Sequence, residues 1–341
     1  MLGSQYLEAL VLFWRNKKIQ LIINNFGAYL RKHNDMFLVM VDEKKVEVPV
    51  IKVDNIWIST SALVSTDAIQ CAMKHNIDIV FLDQFGDPYA RIWHPNLGST
   101  PLIRRKQLET ATSPKGLSLV KEWTDKKLKN QIALLKKLKK TRQDQQELID
   151  SAIKQINNYN QQICNLEGDL DLNRQRILGL EGISSRIYFE TLSEIIPNKW
   201  KFQGRSRRPA KDPFNCYLNY GYGVLYGMVE KACILAGLDP YVGFLHTDDY
   251  NKQSFVFDFI EQYRCHIDEI VFFLFTRKMV SDNSFDQIDG GCVLNDAGKK
   301  ILIPNLNDYF DKQVLHQGKK MKLRNILQSE CYAIANRLVK M

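Results

Sequence analysis

The chain has 341 residues, of which 45% are hydrophobic, and its 47 Lys and Arg residues exceed its 38 Asp and Glu residues by nine. This length and composition exclude a disordered chain, a fibre, an integral membrane protein and a small disulfide scaffold, and they predict about two domains. The excess of positive charge favours a polyanionic partner but does not by itself select a function.

The seven cysteines are odd in number, and none forms a C-x-x-C pair. This pattern argues against a disulfide framework and against a zinc site. We therefore expect reduced thiols, mostly small core residues, in a cytoplasmic protein. The N-terminus lacks the basic segment and cleavage site of a secretory signal.

The first hundred residues read mainly as strands. Residues 1–16 have apolar side chains at helical spacing and predict a short helix. From Lys18 onwards, β-branched and aromatic runs predict strands at 19–23, 28–31, 36–41, 46–53, 56–58, 78–82 and 89–93. A helix is expected at 60–75. We therefore predict an N-terminal extension at 1–17 and a mainly β domain at 18–94.

The rest of the chain is predicted to be helical. Residues 95–101 are rich in Pro, Gly and polar residues, so we place a linker at 95–112. Beyond it, Leu128, Ile132 and Leu135 share one helical face, and Ile149 and Ile156 share another. The predicted fold class is α+β, with the N-terminal mainly β domain followed by a larger all-α domain at 113–341.

Two segments concentrate the positive charge. Residues 126–142 contain eight Lys or Arg and no acid, and we expect a solvated helix face opposite the leucines. Residues 201–211 contain five basic residues in a stretch punctuated by Gly and Pro, where Arg can bind phosphate through paired hydrogen bonds. The candidates for phosphate contact there are Arg205, Arg207, Arg208 and Lys211.

Carboxylates and a histidine in the second half suggest a cation site. Asp258 and Glu261 would share one face of an apolar helix, where carboxylates need a cation. His246 follows an apolar run, and Glu181 lies between glycines at a predicted helix start. One imidazole with two or three carboxylates suits Mg²⁺ or Mn²⁺, which can polarise a phosphoryl oxygen.

Ordinary structural roles are the alternative for the same residues. A glutamate at a helix start is often a capping partner, and a histidine after an apolar run is often a core residue. Asp258 and Glu261 could also simply pair with Arg264 or Lys252.

Several segments in fixed order resemble the CRISPR-associated Cas one family of spacer-acquisition endonucleases and integrases. Residues 27–31 and 77–86 look like the β domain of that family. The segments of the helical part are LGLEG (178–182), RPAKDPFN (208–215), LAGLDP (235–240), GFLH (243–246) and DFIE (258–261). The resemblance extends over about residues 18–330.

This resemblance implies a set of site residues. Glu181, His246 and Glu261 match the ligands of the divalent metal, Mg²⁺ or Mn²⁺, in the family. Asp258 matches the acidic catalytic position beside them, as a fourth ligand or as a support for the ligands. The basic loop that can hold DNA near the metal contains Arg205, Arg207, Arg208 and Lys211. Asp212, Asn215 and Tyr222 also match motif positions, but Asp212 equally suits a helix N-terminus.

The implied reaction is metal-dependent phosphoryl transfer in the helical domain. The 3′-hydroxyl ends of a short duplex DNA (a prespacer) attack phosphodiesters at the border of a CRISPR repeat, without ATP. The implied partners are double-stranded DNA, a second copy of the chain joined through the β domain, and a second Cas adaptation protein as a bridging dimer. No membrane is involved.

Three alternatives remain open at this stage. Residues 1–16 precede the usual start of the family, so the chain is either a member with an added helix or part of a longer chain with a reverse transcriptase upstream. A transposon-borne casposase-type integrase would share the metal site, but usually carries a further DNA-binding domain after it, and only about 77 residues follow Arg264. A non-catalytic DNA-binding assembly subunit is disfavoured by the complete ligand set.

Overall fold

The computed structural model describes residues 19–83, 85–86, 88–93, 101–246 and 252–341. The helix predicted for residues 1–16 and the first part of the predicted linker lie outside these residues. Within the described ranges, no helix is long and apolar enough to cross a membrane.

The N-terminal part contains two mixed four-stranded sheets. Its elements in chain order are β1 (Ile19–Ile23), β2 (Ala28–His33), β3 (Met36–Val41), β4 (Lys44–Pro49), β5 (Val53–Ile58), β6 (Ala62–Val64), α1 (Thr66–Lys74), β7 (Asp78–Leu82) and β8 (Pro88–Ile92). One sheet has the order β1-β5-β7-β8, with β8 antiparallel, and the other has the order β4-β3-β2-β6. Leu21, Ile56 and Ile79 are fully buried between neighbouring elements, as their β-branched and aliphatic character predicts.

Several of the predicted elements in this domain differ in extent from the observed ones, and two of them differ most. The strand expected at 46–53 is divided by a single 3-10 turn at Val50–Lys52, directly after Pro49, which has no N–H to continue the ladder. The helix expected at 60–75 begins only at Thr66, because Ser65 caps it by accepting a hydrogen bond from the Ala68 amide at 3.2 Å. The residues before it form the edge strand β6 instead.

The remaining described residues are mostly helical, which confirms the predicted fold class. The helices are α2 (Pro101–Ala111), α3 (Pro114–Lys139), α4 (Gln146–Cys164), α5 (Leu170–Ile195), α6 (Pro213–Ala236), α7 (Ser254–Ile260), α8 (Arg264–Thr276), α9 (Asp296–Phe310) and α10 (Leu323–Lys340). Helix α2 occupies most of the segment predicted as a linker. Two short hairpins also interrupt the all-α prediction: β9 (Phe285–Ile288) with β10 (Gly291–Leu294), and β11 (Gln313–His316) with β12 (Lys319–Lys322).

The core of the helical part lies where the apolar spacing places it. Leu128 and Leu135 of α3 and Ile149 and Ile156 of α4 are fully buried. Six of the seven cysteines are buried and all seven are free thiols, and Cys164 is exposed. Asp212 caps α6 by accepting a hydrogen bond from the Asn215 amide at 2.7 Å, so its structural role is confirmed.

The basic run at 126–142 is the expected solvated face only in part, since Lys129, Lys136, Lys137 and Lys140 are exposed. Lys127 is buried, and Lys126, Lys137 and Lys139 form ion pairs with Glu330, Glu269 and Asp150 at 2.5 to 2.6 Å. Lys129 also pairs with Asp125. Much of the positive charge of this helix is therefore neutralised within the fold.

Buried charges join the β domain to helix α6. Arg91 of β8 forms ion pairs with Asp78 at 2.9 Å and with Glu230 at 2.6 Å, and donates a hydrogen bond to the Gly227 carbonyl at 2.9 Å. Lys231 also contacts Asp78 at 2.8 Å. These groups are largely shielded from water, so the contact depends on each charge keeping its partner.

We expect the substitution Arg91→Met to destabilise the protein by about 3 kcal/mol, because it leaves two buried carboxylates short of a cation. Urea and thermal unfolding would measure the change. The matched control is Arg31→Met on the exposed side of β2, which should shift stability by less than about 0.5 kcal/mol. Equal effects of the two substitutions would contradict the role assigned to Arg91.

Candidate metal centre and nucleic-acid interface

Glu181 lies in the middle of α5 rather than at a helix start. The helix begins at Leu170, about three turns earlier, so the prediction from the flanking glycines is wrong. Gly179 and Gly182 lie on the exposed side of α5, and an added Cβ at either would meet nothing within 4 Å. The helix continues through them because its opposite face is buried, which outweighs the weak helix propensity of glycine.

The ammonium group of Lys127 lies between two carboxylates. Its Nζ contacts Glu181 Oε1 and lies 2.5 Å from Glu261 Oε2. The second oxygen of Glu261 forms an ion pair with Arg264 Nε at 2.9 Å. Ser185 donates a hydrogen bond to Glu181 Oε1 at 2.8 Å. Helices α3 and α5 and the 3-10 turn at Glu261–Tyr263 thus meet at one cluster of charges.

The charges in this cluster stabilise one another. Burial would raise the pKa of Glu261, but Arg264 and Lys127 outweigh it and lower the pKa to about 2. Burial would likewise lower the pKa of Lys127, but the carboxylates of Glu181 and Glu261 raise it above its usual value. The cluster therefore places an ammonium group between two carboxylates. The pairing of Glu261 with Arg264 is the one that the alternative of ordinary ion pairs anticipated.

Asp258 holds the loop that carries His246. This aspartate is only 3% exposed, and it accepts hydrogen bonds from the amides of Phe244, Leu245 and His246 at 2.5, 3.0 and 2.9 Å. It also accepts from His246 Nδ1 at 2.6 Å. Since a carboxylate only accepts, Nδ1 carries a proton, and in the neutral imidazole Nε2 is then the nitrogen with the free lone pair. Asp258 therefore acts as a support for the histidine.

Glu181, His246, Asp258 and Glu261 all line one cavity of about 20 Å³, which is enough for about one water molecule or ion. Within the described ranges, no three His, Cys, Asp or Glu side chains are arranged to hold a metal ion as they stand. A cationic group, the Lys127 ammonium, lies between the two glutamates instead. An imidazole nitrogen oriented by a carboxylate, together with two glutamates, is nevertheless a donor set that fits Mg²⁺ or Mn²⁺.

The basic loop between α5 and α6 divides into two groups. Arg207, Arg208 and Lys211 are exposed, and Lys211 donates a hydrogen bond to the Gly290 carbonyl at 2.7 Å. Arg205 instead points inward, where it donates to Asn215 and to Asn219, the latter at 2.9 Å. The structure therefore does not bring the four predicted DNA contacts onto one surface.

Tyr222 connects the inward arginine to the carboxylate cluster. The guanidinium groups of Arg205 and Arg264 lie 5.1 and 4.8 Å from the centre of its ring. Its hydroxyl donates to buried Asp268, which also accepts from Tyr188 at 3.1 Å. Burial raises the pKa of Asp268 to about 6. The motif residues Asn215 and Tyr222 thus have packing partners next to the candidate site.

The sequence analysis did not select Lys127, although a signal for it exists. Lys127 directly precedes the core residue Leu128 and follows Val120 by seven residues, which places it on the buried face of α3. Arg264 was considered only as an ordinary partner of the acidic residues, and Asp268 was not considered. A basic residue at a core position is the pattern that would have revealed Lys127.

We expect Asp258→Asn to lower the free energy of unfolding by about 2 to 4 kcal/mol, because its amide nitrogen cannot accept the loop amides. Thermal unfolding in EDTA would measure this loss without any bound metal. The control Asp282→Asn removes an exposed carboxylate paired with Lys199, and should cost less than about 1 kcal/mol. A loss at Asp258 no greater than at Asp282 would refute the role of the carboxylate in holding the loop.

Comparisons with known proteins agree on one family. The sequence model of the family described as CRISPR associated protein Cas1 matches residues 21–308. A CRISPR-associated endonuclease Cas1 of Archaeoglobus fulgidus is 32% identical over 324 residues, which cover 91% of this chain and 93% of the relative. A second CRISPR-associated endonuclease Cas1, of Thermodesulfovibrio yellowstonii, is 29% identical over 320 residues, which cover 93% of this chain and 92% of the relative.

Solved structures share the fold. A casposase bound to its integration product has a TM-score of 0.81 at 22% identity, covering 94% of this chain and 90% of the other. A Cas1 protein of Thermotoga maritima has a TM-score of 0.79 at 18% identity, covering 94% and 97%. A chain of a Cas6-RT-Cas1–Cas2 complex has a TM-score of 0.77 at 18% identity, covering 95% of this chain but 35% of that longer chain. Together with the match of the family model over most of the sequence, these findings establish that the chain belongs to the Cas1 family of CRISPR-associated proteins.

Proposed function

We propose that the protein is a divalent-metal-dependent DNA endonuclease and integrase that inserts prespacer DNA into a CRISPR array. The observation that carries this proposal is the gathering of Glu181, His246 and Glu261 around one small cavity. The relatives named as Cas1 endonucleases support the nuclease chemistry. The proposed integration step joins a DNA 3′-hydroxyl to the phosphodiester of a repeat.

The residues of the cavity define how the metal would be held. Glu181, Glu261 and the Nε2 atom of His246 would hold Mg²⁺ or Mn²⁺. When bound, such an ion polarises a phosphoryl oxygen and lowers the pKa of an attacking hydroxyl. Asp258 keeps the imidazole in the orientation and tautomer that leave Nε2 available, and Arg264 fixes the second oxygen of Glu261.

The proposed reaction conserves the number of phosphodiester bonds. The 3′-oxygen of the incoming DNA forms a new bond to phosphorus, and the bond from phosphorus to the 3′-oxygen of the repeat strand breaks. The attacking hydroxyl loses a proton and the departing oxygen gains one, so the step needs no ATP. Within the chain, partly buried Arg264 adds positive charge close to where negative charge develops on the phosphate.

The DNA is proposed to approach across α5 and the basic loop. Gly179 and Gly182 leave the surface of α5 open on either side of Glu181. Arg207, Arg208 and Lys211 supply exposed positive charge for the phosphate backbone. Arg205, whose guanidinium already binds Asn215 and Asn219, is assigned to positioning the loop rather than to DNA contact.

The proposed partners are a second copy of the chain and the second Cas adaptation protein. A solved complex whose name includes Cas1 and Cas2 contains a chain of similar fold. On the β domain, Phe26 is 83% exposed and Leu63 is 66% exposed, which suits a surface covered in a homodimer.

We expect His246→Ala to reduce strand transfer at least about 100-fold, because one of three proposed ligands is lost. The assay is joining of a 3′-hydroxyl oligonucleotide to a plasmid in Mn²⁺, and His33→Ala in the β domain is the control. Undiminished transfer by His246→Ala would remove the proposed site. Equal transfer to plasmids with and without a CRISPR leader and repeat would favour the casposase-type alternative.

Replacing Arg207 and Arg208 together with Gln should weaken the salt dependence of duplex DNA binding. If each arginine contacts one phosphate, the slope of log K against log salt falls in magnitude by about 1.8. The matched control replaces Lys199 and Lys201, which lie at or just before the start of the same loop and form ion pairs with Asp282 and Glu194. A slope that changes equally in both double variants would rule out a specific DNA contact by the two arginines.

A further inference from the structure

We propose that the ammonium group of Lys127 is the built-in counter-ion of the Glu181–Glu261 pair, and that a divalent cation enters the site by displacing it. The inference rests on the proposed function only in assuming that these carboxylates bind a divalent cation. It assigns to Lys127 the role of a competitor that sets how tightly the cation binds.

The geometry leaves one place for positive charge between the two carboxylates. The Lys127 ammonium contacts an oxygen of each, and its side chain is only 10% exposed. The adjoining cavity measures about 20 Å³. An ammonium and a divalent cation cannot occupy the point between the same two oxygens, since like charges at that separation repel strongly.

A cation between the two carboxylates stabilises the protein when no metal is bound. Two partly buried carboxylates facing one another would otherwise be destabilised by desolvation and by mutual repulsion. Arg264 already pairs with the other oxygen of Glu261, but among the described residues it forms no ion pair with Glu181, whereas Lys127 bridges both glutamates. The lysine therefore holds the two glutamates in the arrangement that a metal would need.

Displacement is chemically reasonable for lysine. The ammonium is carried on a flexible four-carbon chain and can move away without disturbing the backbone of α3. Arg264 remains on Glu261 when Lys127 moves, so the glutamate keeps one cationic partner. The apparent affinity for the metal then equals the intrinsic affinity multiplied by the fraction of molecules in which the lysine has left the site.

Neighbouring Lys126 offers a matched control on the same helix. Its ammonium pairs with Glu330 at 2.6 Å and lies over the Tyr263 ring, and it does not line the cavity. Lys126→Met and Lys127→Met therefore remove the same charge and break a similar ion pair. Only the second substitution removes the proposed competitor.

The experiment measures Mn²⁺ binding by calorimetry for the full-length wild type, Lys127→Met and Lys126→Met. We expect Lys127→Met to bind Mn²⁺ at least about tenfold more tightly than wild type, because the competing state is gone. Its melting temperature in EDTA should be lower, and the rise on adding Mn²⁺ larger. Lys126→Met should bind like wild type. Equal or weaker binding by Lys127→Met overturns the proposal.

A second measurement uses only the wild-type protein, so it does not depend on the folding of a variant. Acetylation of individual lysines, followed by mass spectrometry, should be slow at Lys127 in EDTA and several-fold faster in Mn²⁺, with Lys126 as the internal reference. If Mn²⁺ binds and the rate at Lys127 does not change, displacement is wrong but the metal site stands. If no protein binds Mn²⁺, the proposed metal-dependent function fails together with this inference.

Discussion

The pairing of two partly buried carboxylates with neighbouring cations is the constraint on which the rest of the site depends. Two unit charges 4 Å apart interact by about 4 kcal/mol at an effective dielectric constant of 20, so Glu181 and Glu261 cannot be packed side by side without compensation. Lys127 and Arg264 provide it. These four side chains come from α3, α5, α8 and the 3-10 turn that follows α7. The charge cluster therefore also fixes how these elements meet.

The histidine is positioned by a different device. A single buried carboxylate, Asp258, binds three consecutive loop amides and the imidazole, and Arg174 of α5 donates to the Leu245 carbonyl at 2.9 Å. The glutamates are therefore held by opposite charges, whereas His246 is held by hydrogen bonds to an otherwise irregular loop. Both devices act before any metal or DNA arrives, which is what preorganised phosphoryl transfer requires.

Local patterns predict the elements of this chain better than they predict its charges. Strands β1, β3 and β7 have the bounds that their apolar runs indicate, and the leucine face of α3 is buried as its spacing requires. The hairpins β9–β10 and β11–β12 were missed, because four-residue strands that are partly exposed carry little periodic signal. The glycines around Glu181 suggested a helix boundary, yet tertiary packing carries α5 through them.

The ion pairs formed by the lysines of α3 could not be predicted from composition, because they depend on contacts with residues that are distant in the sequence. Lys127 meets acids 54 and 134 residues away, and Lys126 meets one 204 residues away. A count over residues 126–142 therefore overstates the charge that α3 offers to DNA. Arg207 and Arg208 of the 201–211 loop, although fewer, are exposed at the surface. Some basic residues, such as Lys127 and Arg264, thus hold the acidic site together from within, whereas Arg207 and Arg208 remain exposed at the surface.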